Sequence, residues 1–149
     1  MLSYEQQESA FFSLIDLFNA HVFGDDMEAK IEQWDPRTGT TGFPNTYSLR
    51  IKYSQIPGSS IDLSFYLDKN GTWSKVEIVS MDIDERYRRM GYGRRLVNHT
   101  IQLSKRIGAR KIYGMVLDKP GYSSAEFYEK CGFTINNGSV ARVFYMDIE

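Results

Sequence analysis

Apolar residues recur near the start of the chain at spacings of three and four: Phe11, Leu14, Ile15 and Phe18, with Val22 beyond. That period is one stripe on an amphipathic helix. Ser3 stands where an N-cap belongs, Glu5 falls in the first turn, and Gly24 ends the run. The period then changes to two. Tyr47, Leu49, Ile51 and Tyr53 alternate with Ser48, Arg50 and Lys52; Ile61, Leu63, Phe65 and Leu67 alternate likewise, and a third strand runs over Thr72–Ile83. Pro57-Gly58 and Lys69-Asn70-Gly71 separate these runs, and such short turns join antiparallel neighbours. Helical spacing returns over Gly91–Arg106, where Leu96, Val97, Thr100, Ile101 and Ser104 share a face and Gly108 follows. A strand over Lys111–Leu117, a loop at Lys119-Pro120-Gly121, a helix from Ser123 to Lys130 and a hairpin over Phe133–Asp147 around Asn137-Gly138 complete the pattern. Glu28–Asp35 fits a short strand or a helical turn.

This order predicts an α+β (mixed α/β) fold. A strand, a crossover helix and a strand make one parallel βαβ pair inside a mostly antiparallel sheet. The length, 149 residues, suits a single domain spanning the whole chain. The Gly-, Pro- and Thr-rich stretch Asp35–Thr46 is long for a connection in a compact domain. It reads either as a binding loop or as a surface connection, and Trp34, Phe43 and Tyr47 beside it suit an acceptor pocket or simple packing.

Composition narrows the function. One cysteine excludes a disulfide framework and a Cys-rich zinc site. Two isolated histidines, His21 and His99, make no metal case; His99 falls off the apolar helix face and is expected in solvent. No apolar run is long enough to span a membrane, and acids stand where a signal peptide carries bases, so a cytoplasmic protein is expected. The net charge of −1 argues against a nucleic-acid binder. That total conceals a split, however. Residues 1–81 hold six bases and eleven acids, a net of −5; residues 82–149 hold twelve bases and eight acids, a net of +4. The positive charge is concentrated: Arg86 to Lys111 contains nine basic residues and no acidic one. A small polyanion suits that locality, and the acidic first half leaves room for a cationic acceptor.

The stretch Asp84-Glu85-Arg86-Tyr87-Arg88-Arg89-Met90-Gly91-Tyr92-Gly93-Arg94-Arg95-Leu96 joins strand to helix. Gly91 and Gly93 permit a sharp turn and close backbone approach. Free N–H groups at the helix start favour an anion. Leu96 stands where the dinucleotide fingerprint needs glycine, and no P-loop is present. Arg88-Arg89-Met90-Gly91-Tyr92-Gly93 does match [Q/R]-x-x-G-x-[G/A] of the GNAT acyltransferase superfamily. Gly121-Tyr122-Ser123-Ser124-Ala125-Glu126-Phe127-Tyr128-Glu129-Lys130-Cys131-Gly132-Phe133 resembles that family's N-x-x-A-x-x-F-Y-E-K-x-G-F segment, with Gly121 in place of Asn and Ser124 as the small residue. The two blocks stand in the family's order with one strand between them.

The resemblance implies a GNAT-like sheet of about six to seven strands flanked by helices. It implies acetyl-CoA as acyl donor, no metal, and direct transfer to a primary amine in a ternary complex. The pantetheine would run along Met81, Asp82 and Ile83. The pyrophosphate would sit on Arg88, Arg89, Met90, Gly91, Tyr92, Gly93 and Arg94, with Ser124 nearby; the Arg88 side chain has Asp82 and Asp84 as rival partners. Glu77, 16 residues before Gly93, matches the position of the general base in the histone acetyltransferase branch. Period-two alternation puts Trp73, Val79 and Met81 on its face, apolar neighbours that raise a carboxyl pKa. Its other reading is a surface glutamate paired with Lys75. Tyr128 occupies the family's position for the acid that protonates the CoA sulfur, or is a packed aromatic; Cys131 reads as a small packed residue. A monomer or homodimer is expected, without nucleic acid or membrane. The alternative function is an inactive GNAT-fold module that binds CoA or a partner.

Overall fold

The computed structural model describes residues 3–17, 27–31, 46–53, 55–138 and 141–148. Residues 35–45 of the expected loop, and Phe18, His21, Val22, Gly24, Trp34 and Phe43, lie outside the described residues. The elements are α1 (Tyr4–Leu17), β1 (Met27–Ile31), β2 (Thr46–Tyr53), β3 (Ser60–Leu67), β4 (Trp73–Asp82), a 3-10 turn (Glu85–Tyr87), α2 (Tyr92–Arg106), β5 (Lys111–Met115), β6 (Asp118–Lys119), β7 (Tyr122–Ser123), α3 (Ala125–Lys130), β8 (Thr134–Asn137) and β9 (Arg142–Asp147). The described part of the ambiguous segment Glu28–Asp35, residues 28–31, is thus strand, and the rest lies outside the described residues. The loop after β5 is a small ribbon of β6 and β7.

Seven strands form one sheet in the order β1-β2-β3-β4-β5-β9-β8. Among the described strands only β4 and β5 run parallel, joined by α2. This is the expected α+β architecture with its one parallel βαβ pair. The apolar alternation explains the packing: Leu49, Ile51, Ile61, Leu63, Phe65 and Leu67 are all buried on one face. The helices pack on that face. A reciprocal capping box starts α1, with Ser3 N–H donating to Gln6 Oε1 and Gln6 N–H donating to Ser3 Oγ. Phe11 then rests 5.2 Å from the Tyr47 ring, and the Tyr47 hydroxyl donates to Gln7 Oε1. Leu96, Val97, Thr100, Leu103 and Ser104 form the buried side of α2; the two hydroxyls donate to carbonyls one turn back and need no other partner. Tyr128 of α3 stacks on Phe144 of β9. Among the described residues the opposite face of the sheet carries no helix.

Candidate active site

The parallel seam is short. Lys75, Val76 and Glu77 pair with Lys111, Ile112 and Tyr113, yet β4 continues to Asp82 without further pairing to β5. Its other edge stays bonded to β3 as far as Ser60↔Asp82. The two strands therefore part after Glu77, and the backbone of Ile78 to Asp82 has an unpaired edge on that side. Gly114 marks the point of parting. A Cβ there would run into the Phe144 ring and lie 2.7 Å from the Ile78 carbonyl oxygen, so the ring fills the space a side chain would need.

The turn that follows β4 is folded by its own charges. Asp84 accepts from Arg86 N–H and from Arg86 Nε, both at 3.0 Å, which holds its carboxyl below the usual carboxylate range. Asp84 N–H donates to Ser59 Oγ. Arg88 Nε donates to the Ile83 carbonyl at 2.9 Å, with a second nitrogen 4.0 Å from Asp82. Of its two expected carboxylate partners, Arg88 therefore stands near Asp82, while Asp84 is taken by Arg86. Arg89 and Gly91 both adopt left-handed backbone, at φ 64° and 84°. For Arg89 that conformation costs about 1 kcal/mol.

Gly91 caps α2 without a side chain, and the first intrahelical bond runs from Arg95 N–H to the Gly91 carbonyl. The amides of Gly93 and Arg94 thus lack acceptors in the helix. Gly93 is needed for a different reason: its Cβ would meet Met81 Cε at 3.3 Å and the Phe127 ring at 3.4 Å. The Arg94 side chain donates to the Lys130 carbonyl, tying the start of α2 to the end of α3. Ser124 is buried; its Oγ accepts from Leu117 N–H at 2.9 Å, and its own N–H donates to the Leu117 carbonyl. Met90 is exposed, and Met81 and Ile83 are half-buried.

Glu77 is not among Trp73, Val79 and Met81. Two register slips in β4, at Ser74 and Val79, break the alternation. Register places Trp73, Val76, Ile78 and Met81 opposite Leu67, Phe65, Leu63 and Ile61 on the helix-covered face. Glu77 lies opposite Ser64 and Tyr113 on the other face, and Val79 is the extra, exposed residue. Its carboxyl is nevertheless pushed up by burial. No described residue forms an ion pair or hydrogen bond with it. Lys75, its expected partner, lies over the Tyr66 ring instead.

Tyr128 is 6% exposed and stacks on Phe144 with centroids 3.6 Å apart and planes at 7°. Phe127 and Phe133 meet it edge-on at 5.0 and 5.8 Å. Burial pushes its phenol pKa upward, so the proton stays on oxygen throughout the physiological range. Glu77 and Tyr128 therefore stand on opposite faces of the sheet. His99 is half-buried, not solvent-exposed as the helix pattern suggested. Among the described residues no three His, Cys, Asp or Glu side chains are placed to share a metal ion, and no helix is long and apolar enough to cross a membrane.

Sequence reasoning missed three features. Tyr113 is the parallel-strand partner of Glu77. Phe144 occupies the Gly114 site. Arg142 binds both Asp118 and Ser123, clamping the β6–β7 ribbon to β9. Each joins residues distant in the chain; the one local signal was a glycine inside strand β5.

Residues 63–133 match the model of the Acetyltransferase (GNAT) family. That stretch runs from β3 to the end of α3 and contains both motif blocks. The fold of the chain is that of GNAT acetyltransferases. A Bacillus subtilis acetyltransferase in complex with CoA superposes with a TM-score of 0.57 at 17% identity, covering 83% of this chain and 98% of the other. Arabidopsis thaliana Naa50 in complex with the bisubstrate analogue CoA-Ac-MVNAL gives 0.53 at 17% identity, covering 84% and 99%. A GNAT family acetyltransferase from Elizabethkingia anophelis with acetyl-CoA bound gives 0.54 at 15% identity, covering 83% and 99%. No curated protein matches the sequence significantly.

Proposed function

We propose that the chain is a single acyltransferase domain that moves an acetyl group from acetyl-CoA to a primary amine by direct transfer. The observation that carries this reading is the parting of β4 and β5 at Glu77. The unpaired edge of Ile78–Asp82 offers backbone groups to an extended pantetheine arm. The amides of Gly93 and Arg94 at the start of α2, with the left-handed backbone at Arg89 and Gly91, suit the pyrophosphate. Arg88 acts from behind, holding the turn in shape through the Ile83 carbonyl. Arg94 contributes its amide while its side chain fastens α3. Ser124 retains a hydroxyl proton to offer.

In this reading the amine arrives on the face opposite the described helices. Glu77 takes a proton from the ammonium, and the freed lone pair attacks the thioester carbonyl. The C–N bond forms, the C–S bond breaks, and its electron pair leaves on sulfur. Tyr128, on the helix side, is the candidate donor to the thiolate and regains its proton from solvent, although burial makes it a weaker acid than an ordinary phenol. The amide nitrogen sheds its second proton, so one proton is released per turnover. A carboxyl with a raised pKa is a stronger base than an ordinary one, which suits Glu77 to this task. The packed Tyr128 ring is held rigidly by Phe144, which suits a positioned donor.

The test is CoA thiol release from acetyl-CoA across a panel of primary amines. Glu77→Gln should lower kcat/KM by about 100-fold or more, with acetyl-CoA affinity unchanged. Full activity in that variant overturns the base assignment. Acetyl-CoA binding with no turnover on any amine favours the inactive binding module.

A further inference from the structure

The sheet face opposite the described helices carries charges that the proposed reaction does not use. Strand register sets two adjacent rows there. One runs Ser64, Glu77, Tyr113, Tyr145; the next runs Tyr66, Lys75, Lys111, Asp147. Two residues along a strand span about 6.6 Å, so the lysine row stands about that far from Glu77. Lys75 and Lys111 are direct partners across the seam, where like charges repel. Both side chains lean outward: Lys75 Nζ lies 5.8 Å from the Tyr66 ring centroid and Lys111 Nζ lies 5.2 Å from that of Tyr145. Neither forms an ion pair with a described residue, although Glu77 is one row away and Asp147 stands opposite Lys111. On the other side of Glu77, Arg50 and Asp62 neutralise each other at 2.7 Å, and Ser80 Oγ donates to the same Asp62.

A carboxylate beside two outward-leaning cations, none of them ion-paired with a described residue, is complementary to a molecule with the reverse order of charge. We propose that the acceptor is a small zwitterion, a primary amine that meets Glu77 and a carboxylate that lies between Lys75 and Lys111. The inference rests on the reading of Glu77 as the base. It narrows the acceptor class: a diamine would set its second ammonium against the two lysines, so polyamines and other polycationic acceptors are poor substrates. The acidic balance of the first half of the chain does not set the preference; the local pair of lysines does. Tyr113 and Tyr145 flank the passage between the two charges and contact the connecting methylenes.

The test compares 6-aminohexanoate with hexylamine and 1,5-diaminopentane, using acetyl-CoA and thiol detection. The same three compounds are titrated calorimetrically onto the CoA-bound protein. The ω-amino acid should exceed both amines at least 10-fold in kcat/KM or in affinity. In the Lys75→Met/Lys111→Met double variant its KM should rise toward that of hexylamine. Equal use of hexylamine, a preference unchanged in the double variant, or no binding of the ω-amino acid overturns the proposal. If Glu77→Gln keeps full rate while the carboxylate preference persists, the base assignment falls and the zwitterion site stands. If Glu77→Gln abolishes turnover and no carboxylate preference exists, the opposite holds. Binding of the ω-amino acid without turnover supports the site and removes the catalytic reading.

Discussion

Gly114 and Glu77 stand on the two strands beside the point where the seam opens, on opposite faces of the sheet, and each constrains it differently. At Gly114 the constraint is steric. A methyl group would overlap both the Phe144 ring and the Ile78 carbonyl, and the carbonyl is backbone that cannot swing aside. Gly114→Ala should cost about 3 kcal/mol or more, read as a large fall in the thermal midpoint. Gly93→Ala makes an informative contrast: the atoms it would meet are the flexible Met81 terminus and one ring edge, so a loss of under about 1.5 kcal/mol is expected. At Glu77 the constraint is electrostatic. Burial raises its folded pKa above the ordinary carboxylate value, so the folded state holds that proton more tightly than the unfolded chain. The sign follows: stability from this group is present at acid pH and is lost as pH rises through the raised folded pKa. At neutral pH the ionised carboxylate thus weakens the fold. Glu77→Gln should raise the thermal midpoint at pH 7 while lowering activity, and this gain should vanish near pH 4. A lower midpoint at pH 7 would mean that the carboxylate has a stabilising partner. This placement was only partly legible from the chain. Strict alternation grouped Glu77 with Trp73, Val79 and Met81. Alternation fails in β4 because two residues slip out of register with β3, and a slip depends on the partner strand. Tyr128 was legible as a candidate from its motif, but its stacking on Phe144 depends on β9, which follows in the chain.

Among the elements, the turn between β4 and α2 was the easiest to read, because its glycines, acids and arginines act on each other within a few residues. Its internal bonds explain why so much basic sequence remains compact: Asp84 restrains Arg86, and the Ile83 carbonyl restrains Arg88. The ribbon β6–β7 was harder. Its sequence looks like a plain loop, since the two strands are only two residues each and owe their order to Arg142 on β9. Arg142 and Ser123 together hold the Asp118 carboxyl at a pKa of about 2. Because the folded value is depressed, the contribution of this clamp is present above the unfolded carboxyl value and disappears as pH falls toward 2. Asp118 is exposed, so the effect on global stability is small; the effect on the ribbon is local. Arg142→Gln should speed amide exchange at Lys119 and Tyr122, which pair across the ribbon, while the exchange of Ile112 in the central sheet stays slow. Equal acceleration at both places would show that Arg142 supports the whole sheet instead.

Across the whole molecule, charge and fold divide the same way. The basic stretch Arg86–Lys111 contains the turn and all of α2 on the helix-covered side, whereas α1 carries Glu5, Glu8 and Asp16 and no basic residue. Arg86, Arg88 and Arg94 have side chains committed to internal contacts, yet their charge still adds to the field at the start of α2. Such a field acts through water and is screened over about 10 Å at 0.1 M salt. An anion bound chiefly by the field and exposed amides should therefore be salt-sensitive, and a neutral fragment of the same ligand should not be. CoA and pantetheine form that pair, since both share the arm expected along Ile78–Asp82 but only CoA carries phosphates. Raising salt from about 50 to 500 mM, roughly a threefold shortening of the screening length, should weaken CoA several-fold and leave pantetheine nearly unchanged, as read by calorimetry. Equal sensitivity of the two would place the binding energy in the arm and remove the anion role of the turn. Insensitivity of both would mean that the phosphates lie away from Arg89–Arg94, and the motif would then serve only to terminate β4 and begin α2.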